Sequence, residues 1–136
     1  MKRYLLIFLI ALLCFFVIDI AWLAYLGRAI YVYFIGDFLR SPPLWSAALL
    51  FYVLFIIGMM VFCIVPAINQ QSLRYAVLYG GFYGFITYMT YELTNFAVIA
   101  NWPVGIVPID IAWGTFLSAS ISLLTTIIYL RFFGKN

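Results

Sequence analysis

Residues 4–26 read YLLIFLIALLCFFVIDIAWLAYL. An apolar run of this length, interrupted by a single acid, matches the ~30 Å hydrocarbon core of a bilayer at about 1.5 Å of rise per helical residue. Three more such runs follow, and the spacing predicts helices over about residues 4–26, 44–66, 75–100 and 107–130. The runs are continuous rather than alternating, which excludes a transmembrane β-barrel. The expected fold class is therefore all-α: a polytopic four-transmembrane-helix bundle forming one integral membrane domain over residues 1–136.

Composition agrees. The chain is 68% hydrophobic and 8% charged, where a soluble domain carries about 25% charged residues. Too few polar side chains exist to wet a surface, so lipid is the expected solvent. The start, Met1-Lys2-Arg3, resembles the basic region of a signal peptide, but the apolar run continues too far and lacks a small-residue cleavage site, so it is expected to remain as the first helix.

Net charge is +3, and the distribution matters more than the sum. Lys2, Arg3, Arg74, Arg131 and Lys135 fall on one side of the expected bundle, against Arg28 and Arg40, beside Asp37, on the other. The positive-inside rule then places both termini in the cytoplasm. Trp45 and Trp102 would sit at the opposite, outer headgroup level. No basic run or low-complexity tract suggests a nucleic-acid partner.

The connection Gly27 to Pro43 contains Arg28-Ala29-Ile30-Tyr31-Val32-Tyr33-Phe34-Ile35, too apolar for a free loop. Two readings fit residues 28–39: a helix lying in the outer interface, or an extension of a long, tilted first helix. The interfacial reading is the preferred expectation.

The chemistry is restricted. Without histidine the commonest metal ligand and neutral-pH base is missing. Cys14 and Cys63 lie in apolar runs at different expected depths, so no disulfide is expected. No metal site, cofactor or catalytic residue is assigned; no histidine or intramembrane lysine is present to activate Ser118 as a nucleophile.

Acids at membrane depth are therefore the functional candidates, since each costs at least ~2.5 kcal/mol to insert. Asp19 lies 15 residues beyond Tyr4, about 22 Å up; Glu92 lies 17 beyond Tyr75, about 25 Å; Asp110 lies 21 before Arg131, about 31 Å. All three belong to the outer half, where one outward-facing cavity can contain them. Ile18-Asp19-Ile20-Ala21-Trp22 recurs as Ile109-Asp110-Ile111-Ala112-Trp113, placing Asp and Trp on one helical face in two antiparallel helices. Glu92 and Asn95 repeat that spacing, with Tyr88 one turn earlier and Tyr91 at the border. Other readings stand beside this one. Asp110 can decorate a first turn behind Pro108, where an acid suits the helix dipole. Asp19 and Glu92 can simply bond Tyr or Trp across helices.

Gly80 and Gly84 in the third run, with Gly114, Ser118, Ser122 and Thr126 in the fourth, form stripes of small residues at four-residue spacing. They are expected to pack helices closely, their hydroxyls bonding across helices or to their own carbonyls.

The ordered set Asp19-x-x-Trp22, Tyr91-Glu92-Leu93-Thr94-Asn95, Trp102-Pro103 and Asp110-x-x-Trp113-Gly114 resembles a family of small bacterial membrane proteins, domain of unknown function 2177. The resemblance implies a four-helix protein of the bacterial cytoplasmic (inner) membrane and no established activity. Three functions remain open: binding or transport of a small cationic or proton-coupled ligand at Asp19, Trp22, Tyr88, Tyr91, Glu92, Asn95, Asp110 and Trp113; a membrane-embedded enzyme acting on a lipid or isoprenoid; or an accessory subunit. Binding or transport is preferred over enzymatic activity. Carboxyls and ring faces attract cations, and transport through four helices would need a homodimer.

Overall fold

The computed structural model describes residues 1–134, so Lys135 lies outside the described residues. The chain is 86% helical. Its segments are α1, Lys2–Phe38; α2, Trp45–Asn69; α3, Leu73–Val98; and α4, Ile106–Phe132. α1, α2 and α4 are long and apolar enough to cross a membrane. α3 matches them in length with 26 residues, but its tyrosines, threonines, Glu92 and Asn95 make it the most polar of the four.

The first helix does not stop near Leu26. It continues through a wide π turn at Leu23–Gly27 into Arg28–Ile35 and closes with a 3₁₀ turn at Gly36–Phe38. The preferred expectation of a separate interfacial helix over 28–39 gives way to the extension. Gly27 fails to break the helix because it serves packing: the indole of Trp22 lies against it, where any Cβ would collide. The apolar character of the extension has its own cause. Ile30, Tyr31, Phe34 and Ile35 pack on Trp102, Ile106 and Val107, and Phe34 covers Gly105.

α2 carries a second π turn, at Met60–Ile64, just before Pro66. Proline has no N–H, so the carbonyl of Phe62 four residues earlier loses its helical donor; the Tyr75 hydroxyl lies 3.5 Å from it. Ser72 starts α3 as an N-cap, its Oγ accepting from the Tyr75 N–H at 3.2 Å. Asn101 takes the left-handed conformation, φ 64°, in the α3–α4 connection, a role that asparagine fills at low cost.

Contacts define the two ends. Arg3 donates to Asn69 Oδ1 at 2.6 Å and lies over the Tyr129 ring, so the start of α1, the end of α2 and the end of α4 share one end. At the other end Phe38 meets Trp102, ring centroids 5.5 Å apart. The main core joins Ile7, Ala11 and Phe15 to Ile56, Met59 and Ile64 and to Leu117 and Ile121. Cys14 and Cys63 are buried in it as free thiols.

α3 and α4 pack most closely. A Cβ on Gly84 would strike the Gly114 carbonyl, and one on Gly80 would stand 2.6 Å from Ser122 Cβ. Such backbone approach supplies dispersion contact where lipid gives helices no hydrophobic reason to associate. The hydroxyls depart from expectation: those of Ser118, Ser122 and Thr126 are enclosed without a hydrogen-bond partner. Opposite Ser118 and Ser122 stand glycines, which offer closeness but no side-chain acceptor. We predict that Gly84→Leu lowers stability by at least about 2 kcal/mol through overpacking. Gly36→Ala, whose Cβ would meet nothing nearer than 3.8 Å, should stay within about 0.5 kcal/mol. Denaturant titration of detergent-solubilised protein reads both.

Candidate functional site

Asp110 is the centre of the site. α4 begins at Ile106, so Asp110 stands beyond the first turn and is 6% exposed. The reading as an exposed first-turn acid therefore fails. Its Oδ1 accepts a hydrogen bond from the Tyr31 hydroxyl at 2.7 Å. Sequence inspection missed Tyr31 because regular α-helix would carry it about 120° away from Asp19 over twelve residues. The π turn between them absorbs one extra residue and returns Tyr31 to within about 20° of the Asp19 face. The irregularity in α1 is thus what brings Asp19, Trp22 and Tyr31 to bear on α4.

Glu92 is more enclosed, 1% exposed, and its Oε2 accepts from Trp102 Nε1 at 3.0 Å. Trp102 is 7% exposed, so its indole is packed inside the protein. The unsatisfied carboxylate draws the indole N–H inward. Asp19 is half-buried, and Tyr52 donates to its Oδ2 at 3.3 Å. Asp110 stands near enough to Glu92 and to Asp19 for its carboxyl to act on both. Every donor found on these acids is a tyrosine or tryptophan. Arg28 is exposed. Among the described residues no three His, Cys, Asp or Glu groups cluster tightly enough to hold a metal ion.

Aromatic rings build the walls. Trp22 and Trp113 stack with centroids 4.3 Å apart and planes 11° from parallel. Tyr88 lies over Gly114, between Asp110, Asp19 and Tyr52. A cavity of about 270 Å³ is lined by Phe51 and Phe55 of α2, Thr87, Tyr88 and Tyr91 of α3, and Asp110. Asp19, Trp22, Tyr88, Glu92, Asp110 and Trp113 are thus brought into one neighbourhood. Tyr91 forms the cavity rim, and Asn95 stands one turn further along beside the Tyr91 hydroxyl, outside the lining. Phe51, Phe55 and Tyr52 gave no signal in the sequence because α2 contains no acid to mark its inward face.

A family model described as "Predicted membrane protein (DUF2177)" matches residues 4–127. The chain belongs to the DUF2177 family. Neither the curated proteins nor the solved structures contain a match to it. The DUF2177 match runs across all four helices and every acid of the site, and it identifies the chain as a membrane protein.

The hydrogen bonds rank the donors. Tyr31→Phe leaves a buried carboxyl oxygen without its donor and should cost about 1–3 kcal/mol. Tyr52→Phe removes a longer bond to a half-buried acid and should cost less than about 1 kcal/mol. Melting temperatures of the two variants in one detergent test the order.

Proposed function

We propose that all four helices of this DUF2177 protein span the cytoplasmic membrane, with both termini cytoplasmic, and that the Asp110 cavity binds a small cationic or proton-coupled ligand. The topology rests on Lys2, Arg3, Arg74 and Arg131 at the end where Arg3 meets Asn69 and Tyr129. A cysteine placed at Gln71 should react with an impermeant thiol reagent only from the cytoplasmic side, and one placed at Asp37 only from outside. The reverse pattern would invert the assignment.

One observation carries the binding reading: a buried carboxyl with no basic partner among the described residues faces a cavity walled by four aromatic rings. A carboxylate has about four lone-pair sites, and the Tyr31 hydroxyl occupies one. Ring faces add further attraction for a cation, stronger when it is desolvated. Transport, rather than binding alone, would draw on a second copy of the chain.

A specific observation also favours an accessory role: Tyr31–Asp110 ties α1 to α4, Tyr52–Asp19 ties α2 to α1, and Trp102–Glu92 ties the α3–α4 connection to α3. The two readings diverge on ligand response. With protein in nanodiscs and a panel of alkali cations and primary amines, binding predicts a raised melting temperature. At a hundredfold excess over Kd the stabilisation amounts to about 2.7 kcal/mol, and Asp110→Asn should abolish it. A melting temperature indifferent to the whole panel, with Asp110→Asn merely less stable, would leave the accessory role.

A further inference from the structure

The cavity has a floor and a rim. Phe55 and Asp110 are buried at its floor, whereas Phe51 and Tyr91 are 48% and 52% exposed. Those rim residues belong to the sides of α2 and α3, not to helix ends. Leu54, one turn on from Phe51 along α2, is exposed and apolar too. Phe51 lies six residues into α2, Tyr91 seven residues before the end of α3 and Asp110 four residues into α4, which places the rim about 9–11 Å and the Asp110 backbone about 6 Å along the axes from their own helix ends. The approach along the axes is covered: Trp102 packs with Ile106, Val107 and Phe34, and its indole caps Glu92 beside Tyr91. The exposed rim of the cavity therefore lies on the sides of α2 and α3, and in a bilayer that the four helices span it would face hydrocarbon.

Resting on the binding reading above, we infer that the occupant is a single-chain amphiphilic amine that reaches the Asp110 carboxyl from within the bilayer, between Phe51 and Tyr91. Two features select this class. The lining is apolar apart from the Asp110 carboxyl and the Thr87 and tyrosine hydroxyls, and the Thr87 hydroxyl is already committed to the carbonyls of Tyr83 and Gly84. An ammonium head supplies the positive charge and the N–H donors that the carboxyl lacks. The volume, about 270 Å³, falls below the ~300–1,000 Å³ of pockets that enclose drug-sized molecules. It accommodates a head and the start of a chain, the rest remaining among lipid tails.

The test uses the full chain in phosphatidylcholine nanodiscs, whose choline headgroups carry no N–H. Melting shifts are titrated with butylamine, octylamine, dodecylamine and dodecanol. Dodecylamine should half-saturate at a concentration at least tenfold below that of butylamine, and dodecanol should give no shift. Asp110→Asn and the cavity-filling Thr87→Leu should each weaken dodecylamine at least tenfold. Thr87→Leu keeps the acids intact and guards against a loss that reflects misfolding of the Asp110 variant. Butylamine saturating as readily as dodecylamine would overturn the amphiphile while leaving the binding reading in place, and so would an equal response to dodecanol. A wild-type protein unmoved by every amine would overturn both.

Discussion

Helices α3 and α4 meet backbone to backbone, with Gly84 against the Gly114 carbonyl and Gly80 against Ser122. In lipid this contact substitutes for hydrophobic association, because the tails around the helices are as apolar as the side chains they would replace. Its geometry propagates. With Gly84 seated on Gly114, Tyr88 one turn later must lie over Gly114, and Glu92 another turn on comes level with Asp110. The acid pair is thus a consequence of the packing register. A residue with a Cβ at position 84 would force the two helices apart and separate the carboxyls.

The acids then organise what surrounds them. A carboxyl buried inside the protein has little water to satisfy it, so neighbouring segments must supply donors. Tyrosine and tryptophan do so without adding charge, and each has an apolar ring that also fills space. Trp102 turns inward to donate to Glu92, and Tyr31 extends the first helix's influence onto α4. The site is polar at its centre and aromatic at its walls, and it borders a cavity lined by α2, α3 and α4.

The Asp-x-x-Trp repeat illustrates what linear spacing can carry. Asp19 with Trp22 and Asp110 with Trp113 share helical faces because three residues make nearly one turn, and in space the two indoles stack. The same arithmetic failed for Tyr31. It assumes an unbroken α-helix, and the π turn at Leu23–Gly27 changes the phase. Gly27 looked like a terminator, yet its missing side chain makes room for Trp22.

The sequence alone determined the solvent, the approximate helical segments, the small-residue stripes and the candidate acids, since all of these follow from composition and local period. Only the tertiary structure decided that α1 runs on to Phe38, that Trp102 turns inward, that Tyr31 reaches Asp110, and that α2, α3 and α4 line one cavity. The reason is physical: hydropathy and spacing are properties of one segment against its solvent, whereas a π turn, a donor for a buried carboxyl and the gap between two helices are settled by which segments compete for the same space.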